Sequence, residues 1–436
     1  MGPSLEASKP GQAMNQGRIE TIGATIGRSM RLIFVNRFFH PDHSATSQIL
    51  SDLAFHLADA GFDVHILTSR QLYDDPSRVL PKRESVRGVR VNRVWSTRFG
   101  RGRLLPRAVD YLTFYLSATA KLATLADSAT LVIAETDPPL LSVPCALVAR
   151  LKRSTAINWT QDLFPEIAES LHVPGIALLA PLLRRLRNLS LNLARTNVVL
   201  GDGMAARLRA EGIAHEKIDV IHNWFPGETV PAPAQPTANP LRAEWDLGQK
   251  FVVGYSGNFG RAHDFATTLD AAALLRDLPD LHFLFVGAGA QRAWVEARVV
   301  ELGLTNVSFR PYQPLERLAT SLSVPDAHLV SLKPELEGLI VPSKFYSVLA
   351  AGRPVLFVGD RKGEMAMCIE EAGCGRAFSV GAAADLATAI RELASHPADV
   401  AEMGERARAL WAARFKRQQA LATWQALVTK VSAGVR

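Results

Sequence analysis

Arg31-Leu-Ile-Phe-Val35, a loop from Asn36 to Ser47, an amphipathic run from about Gln48 to Ala60, Gly61-Phe-Asp63 and Val64-His-Ile-Leu-Thr68 are read together as one unit. Both apolar runs are short, β-branched in part and bounded by loops, and the segment between them repeats its apolar residues at helical spacing. Strand, loop, helix, strand is a βαβ unit, which requires a parallel sheet with a right-handed crossover. Ligands of such sheets bind at the carboxyl ends of the strands, and here that end carries the loop from Phe38 to Ser47. The loop lacks a Gly-x-Gly-x-x-Gly pattern, so the dinucleotide fingerprint is absent.

Working outward, further strands are expected at Arg90–Val94, Leu131–Ala134, Thr155–Trp159 and Asn197–Leu200. Two of the loops that follow them are polar: Glu135-Thr-Asp137-Pro-Pro139 and Trp159-Thr-Gln161-Asp162-Leu-Phe-Pro165-Glu166. Asp162 sits just past a strand end, where it reads either as a helix N-cap or as a ligand or catalytic carboxylate. Five prolines between Pro226 and Pro240 exclude helix and central strand, which makes 226–240 an interdomain linker. The chain therefore divides into a leader over 1–29, a first domain over 30–225, the linker, a second domain over 241–412 and a crossing helix over 413–436. That crossing helix is expected to be the end of one long helix running from Val400 to Thr429.

The second domain repeats the plan. Phe251-Val-Val-Gly-Tyr255 runs into Ser256-Gly257-Asn258-Phe-Gly260-Arg261-Ala-His263-Asp264, and Leu281–Val286 runs into Gly287-Ala-Gly289. Glycines at strand ends let backbone approach a ligand, and Arg261 and His263 are candidates to supply charge to a diphosphate, against the plainer reading of a surface turn. Further on, Glu335-Leu-Glu337-Gly-Leu-Ile-Val341-Pro-Ser343-Lys344 leads into a helix of about nine residues. It ends at Ala350-Ala-Gly352-Arg-Pro354, before the strand Val355–Val358. Ser343 at the N-cap and the unpaired N–H groups of the first turn make a positive pole that suits phosphate oxygens. Lys344 is unfavourable there for the helix dipole unless an anion is present. Two loops and one helix start thus converge on one sheet edge.

Composition bounds the remaining options. With 436 residues, 48% hydrophobic and 21% charged, the chain is long enough for two globular domains. A net charge of +7 is mild for this length and suits phosphorylated ligands or anionic lipid, and no motif supports nucleic acid. Cys145, Cys368 and Cys374 have no metal or redox spacing and read as packing residues in a reducing, cytoplasmic compartment. Residues 1–29 carry no apolar core for a secretory signal, and no apolar run reaches the ~18 residues of a membrane span. Two basic and apolar segments, Arg98–Arg107 with the helix after it and Leu178–Arg187, read either as an anionic membrane surface, at about 1 kcal/mol per basic residue, or as ordinary solvated helix faces.

Together, Trp159-Thr-Gln-Asp-Leu-Phe-Pro165, Tyr255-Ser-Gly-Asn-Phe-Gly-Arg-Ala-His-Asp264 and Val341-Pro-Ser-Lys-Phe-Tyr-Ser-Val-Leu-Ala-Ala-Gly-Arg-Pro354 resemble the retaining glycosyltransferases of family 4. The branch they resemble makes colanic acid, capsule and O-antigen polysaccharides, and the resemblance runs from Arg31 to about Leu427. It implies the α/β GT-B fold, two facing Rossmann-like domains with parallel sheets and a C-terminal helix crossing back to the N-terminal domain. It further implies transfer of a sugar from a nucleotide-sugar to a glycan or undecaprenyl-diphosphate-linked acceptor at the cytoplasmic membrane face, with no cofactor and no metal for donor binding.

On this resemblance Gly257, Asn258, Arg261, His263, Gly287, Glu337, Ser343 and Lys344 fall on the donor side, Ser44 and Gln161 on the acceptor side, and Asp162 at the reaction centre. The chain departs from the family pattern at Asn258 and His263, where an Arg and a Lys are common, and at Ser347, where a Glu is usual. Two other readings are a nucleotide-sugar epimerase and a noncatalytic scaffold of a polysaccharide assembly complex.

Overall fold

The computed structural model describes residues 30–434 apart from 74, 76, 101–103 and 226–237. The leader at 1–29, most of the proline-rich linker, and Arg101 and Arg103 of the first basic segment lie outside the described residues.

In the N-terminal domain the βαβ unit forms as β1 (Arg31–Val35), α1 (Ala45–Asp59) and β2 (Asp63–Ser69). A hairpin, β3 (Arg83–Val86) with β4 (Val89–Val94), is followed by α2 (Leu104–Leu125), β5 (Thr130–Glu135), α3 (Ser142–Lys152) and β6 (Thr155–Trp159). Then come α4 (Glu166–Ser170), α5 (Ile176–Leu193), β7 (Thr196–Val199), α6 (Asp202–Ala210) and β8 (Ile218–Val220). The strands order β3-β4-β2-β1-β5-β6-β7-β8, parallel throughout except for β3 against β4. Neither β3 nor β8 is expected from the sequence. Both are edge strands, short and only partly buried, so they lack the apolar run that marks the inner strands.

The C-terminal domain opens with α7 (Pro240–Glu244), whose N-cap Asn239 accepts the Leu241 N–H at 2.9 Å, so regular structure begins inside the expected linker. β9 (Phe251–Ser256), α8 (Ala266–Leu274), β10 (Leu281–Val286), α9 (Arg292–Glu301), β11 (Val307–Arg310), α10 (Leu315–Leu322) and β12 (Ala327–Ser331) follow. They lead into α11 (Lys344–Ala351), β13 (Val355–Val358), α12 (Glu364–Ala372), β14 (Gly375–Phe378) and α13 (Ala383–Ser395). The strand order is β11-β10-β9-β12-β13-β14, all parallel, with the switch in chain direction between β9 and β12. That switch point is where a ligand crevice opens in a doubly wound sheet.

The single long helix expected from Val400 to Thr429 is corrected to two. α14 (Pro397–Leu410) ends in a π-helical turn over Trp411–Phe415, Lys416 is extended, and α15 (Arg417–Ala433) starts afresh. The break lets the two halves bury different faces: Ala407 and Phe415 join a core shared by the C-terminal domain and the facing end of the N-terminal one, whereas Leu421, Trp424 and Val428 join the core of the N-terminal sheet. α15 thus crosses back, as expected. Fully buried Trp424 packs at 4.7 Å on Trp159, which stacks on Trp224, and the Trp224 indole N–H and the Arg417 guanidinium both donate to Asp52. Trp424→Ala is therefore expected to cost about 3–5 kcal/mol, the range for deleting a buried aromatic. Urea titration monitored by circular dichroism reads this, and a loss below about 1 kcal/mol would mean that α15 is not docked as described.

Candidate active site

The domains meet along the carboxyl edges of their sheets. The backbone of Leu163 donates to the Leu339 carbonyl at 2.9 Å, and Asp162 and Ile340 form an isolated antiparallel bridge. Beside it the Arg207 guanidinium donates to the Glu337 carbonyl at 2.6 and 3.0 Å. The Glu364 carboxylate accepts the Asp202 and Gly203 N–H groups at 3.1 and 2.8 Å, at the start of α6. A loop of the second domain is thereby pinned against the strand end that presents Asp162.

On the second domain, the corner expected from sequence is assembled. Gly257 and Gly287, at the ends of adjacent β9 and β10, have φ of 142° and 134°. A Cβ on Gly287 would lie 2.1 Å from the Gly257 carbonyl oxygen, and one on Gly257 would lie 3.1 Å from Lys344 Cε. Gly287 thus lets the Gly257 backbone lie close, and Gly257 in turn leaves room for the lysine of α11. Its Nζ lies 5.0 Å from the centroid of the Tyr255 ring, and the Tyr255 hydroxyl donates to the Asn258 carbonyl at 2.6 Å. Lys344 has no carboxylate partner among the described residues, and burial brings its amine down to about 7. Arg261, on the loop after β9, is exposed and unpaired among the described residues. Asn258 is exposed at the same corner.

Two expectations for this corner are corrected. Ser343 precedes α11 as expected, but its hydroxyl makes no cap hydrogen bond, because its backbone is already helical at φ −57° and ψ −25°. His263 does not offer its ring to a ligand. It is buried, with Nδ1 2.6 Å from the Ser331 carbonyl and Nε2 2.8 Å from Lys344 Nζ, and burial and the lysine charge bring it down to about 3, so it is neutral. Glu337 is half-buried and its Oε1 accepts the Glu364 N–H at 2.9 Å, so that one oxygen caps α12.

On the first domain, Asp162 reaches solvent yet is hemmed in by protein, as on a cleft wall, and its carboxylate has no hydrogen-bond partner among the described residues. Burial, and then Asp137, push it up to about 6. The N-cap alternative for Asp162 falls away, since α4 begins only at Glu166 and receives no side-chain cap. The Gln161 side-chain oxygen accepts from Asn223 at 2.8 Å, and its amide end faces the Glu135 carboxylate. Ser44 precedes α1, where both its N–H and its hydroxyl donate to Asp42, and no hydrogen bond joins it to Asp162 or Gln161.

Glu135, the last residue of β5, is fully buried, and burial, with Asp137 and Asp162 adding to it, holds it well above the usual carboxylate range, while the Gln161 side-chain amide facing it pulls the other way. Glu135 is not among the site residues expected from sequence. The available signal is an acid closing an otherwise apolar strand at the ligand-binding edge. Among the described residues no group of three or more His, Cys, Asp or Glu is arranged to hold a metal.

A family model described as glycosyl transferase 4-like domain matches residues 45–224, and one described as glycosyl transferases group 1 matches residues 239–410. The two matches together span most of the chain and meet at the cleft. The chain belongs to the GT-B glycosyltransferases. It is 28% identical over 286 residues to a probable glycosyltransferase, WbjE, of Pseudomonas aeruginosa, covering 64% of this chain and 69% of that one. It is 31% identical over 161 residues to a putative colanic acid biosynthesis glycosyl transferase, WcaI, of Escherichia coli K12, covering 37% of this chain and 39% of that one. Among solved structures, sucrose-phosphate synthase from Thermosynechococcus elongatus superposes with a TM-score of 0.75 at 18% identity, covering 93% of this chain and all of the other. HepE from Anabaena in complex with UDP-glucose does so at 0.66 and 17%, with 93% and 100% covered. Both likenesses are of fold, and this GT-B glycosyltransferase shares with them two facing parallel-sheet domains.

Proposed function

We propose that this glycosyltransferase moves a sugar from a nucleoside-diphosphate sugar onto a lipid-linked glycan acceptor in surface polysaccharide synthesis, with retention of anomeric configuration. The observation that carries the reading is Lys344: an amine drawn into protein, without an acidic partner among the described residues, against the glycine strand end at Gly257. Such an amine is costly unless an anion neutralises it, and a diphosphate fits the geometry. Arg261 adds a second cation at the rim. These two charges and the start of α11 take the place of a metal at the diphosphate, so EDTA is expected to leave donor affinity unchanged. The name of the Escherichia coli relative supports the glycan class.

In the proposed reaction the bond from the anomeric carbon to the diphosphate oxygen breaks and the acceptor oxygen bonds that carbon from the same face. The acceptor proton passes to the departing diphosphate, giving the glycoside and a nucleoside diphosphate. Lys344 stabilises charge that develops on the leaving group, where preorganised donors contribute most. Asp162, across the cleft, accepts hydrogen bonds from acceptor or sugar hydroxyls and fixes their approach. A thermal-shift screen against nucleoside diphosphates and their sugars tests the donor class, because a ligand of the folded state raises its midpoint. NMR of the product's anomeric proton tests retention. Absence of any nucleotide-dependent shift would sink the reading.

The acceptor's location is supported by the outer face of the N-terminal domain. α3 packs between α2 and α5. Outward from these three helices stand Leu105, Leu112 and Leu116, then Leu147 and Leu151, then Leu178, Leu182 and Leu189, the most exposed being Leu178 at 88%. Arg150, Lys152 and Arg185 are exposed among them, and Asp110, the one acidic residue of the three helices, is buried. A wide apolar patch on three helices that expose basic but no acidic side chains suits an anionic bilayer surface. Flotation with vesicles containing acidic phospholipid is expected to carry the protein upward, with binding lost in Leu112→Glu/Leu182→Glu and weakened by salt. Equal flotation with neutral vesicles would refute the electrostatic part. No helix among the described residues is long and apolar enough to cross a membrane.

A further inference from the structure

We propose that His263 is a positioning residue for Lys344: a neutral imidazole locked in one tautomer by the Ser331 carbonyl, which accepts a hydrogen bond from the lysine and aims its head at the glycine corner. The inference rests on the reading of Lys344 as the cation of the donor diphosphate and adds how that cation is held.

The hydrogen-bond roles follow from the partners. A carbonyl oxygen only accepts, so the ring nitrogen 2.6 Å from Ser331 O, Nδ1, carries the proton. In a neutral ring the other nitrogen then has the lone pair, so Nε2 accepts from Lys344 Nζ at 2.8 Å. The ring has little room to change this. It is 7% exposed, lies edge-on to Tyr255 and Phe265, and the charged groups that bear on it are Lys344 and Lys333, both cations that disfavour an imidazolium. Two residues 81 positions apart, one on the loop after β9 and one opening α11, are thereby joined to the end of β12 by a single relay.

An imidazole does here what a carboxylate could not. An aspartate or glutamate would also orient the lysine, but it would cancel the charge that the diphosphate is to meet. A neutral acceptor removes the rotational freedom of a four-carbon side chain and leaves the full charge available. The Tyr255 ring face below Nζ likewise attracts the cation without neutralising it.

Two substitutions separate the ring nitrogens. Gln can place its carbonyl oxygen where Nε2 stands, whereas Asn can replace the donor at Nδ1 but does not reach Lys344. With whichever of UDP, GDP or TDP the wild-type protein binds, His263→Asn is expected to weaken affinity and raise the donor KM roughly tenfold, with kcat changed by less than about threefold. His263→Gln should restore most of the loss, and in a Lys344→Ala background neither change should matter further. ¹⁵N NMR of histidine-labelled protein should show His263 as the Nδ1–H tautomer without titration from pH 5 to 8.

Equal losses in Asn and Gln that follow the melting temperature, or an Nε2–H tautomer, would overturn the proposal. The tautomer is read without ligand. If Lys344→Ala leaves nucleotide affinity intact, the diphosphate reading fails on its own. If it weakens affinity while His263→Asn matches wild type, only the positioning role fails.

Discussion

Lys344→Ala lowers affinity for the nucleoside diphosphate by roughly a hundredfold, about 2.7 kcal/mol, while leaving the melting temperature near that of the wild type. The two halves of this expectation have one cause. In the free protein the amine is desolvated without an acidic partner, so its removal costs the fold little, whereas a bound diphosphate loses its most buried cation. Isothermal calorimetry measures the affinity, and an unchanged value would remove Lys344 from the site.

The pH dependence has a definite sign. The folded amine titrates at about 7 against 10.5 for an ordinary lysine, so between those values the unfolded chain holds more protons and the free protein's stability rises with pH. A bound dianion favours the ammonium form and raises its pKa. Binding therefore takes up a proton above about pH 7, and affinity falls as pH increases from there. Calorimetry near pH 8 in buffers of different ionisation enthalpy should show this uptake in the wild type and none in Lys344→Ala.

Asp162→Asn is expected to reduce kcat by about a hundredfold with donor affinity nearly unchanged, the scale for a positioned group at a reaction centre. The carboxylate stands on the domain opposite the donor corner, at the strand end bridged to Ile340, and makes no hydrogen bond that the amide would break. Loss of turnover would therefore report on chemistry rather than folding. Its pKa, raised to about 6 from 3.8, means that the folded protein holds the extra proton in that interval and that stability falls as pH rises through it. Activity that needs the carboxylate therefore rises with pH through about 6 and is lost below it. Asp162→Asn should remove this acidic limb, and equal turnover in the two proteins would end the assignment.

Much of this molecule is local and so was open to reading from residues in order. Runs such as Leu281–Val286 bury every side chain because both faces of a parallel sheet are covered, and that demand leaves continuous apolar strings in the chain. Glycines at strand ends, Gly352 in the left-handed region closing α11 and the placement of Lys344 at its start are equally local. The resemblance to family 4 rests on those same strand ends, and the family models match both halves of the chain.

What the sequence could not express are choices made between distant residues. Whether Glu337 caps α12 depends on where the start of that helix packs, 27 residues further on. Whether His263 carries charge depends on Lys344 and the Ser331 carbonyl arriving beside it, and Glu135 became a buried acid only when the strands around it closed. The break at Trp411–Lys416 was hidden because periodicity records that a helix has an apolar face, not which domain that face will cover. Sequence by itself thus determined two parallel α/β domains with an anion-suited corner, since each of those needs only neighbours along the chain. Tertiary structure alone decided which polar groups are spent inside the protein and which remain for a ligand, since hydrogen-bond partners and desolvation are set by packing across the cleft.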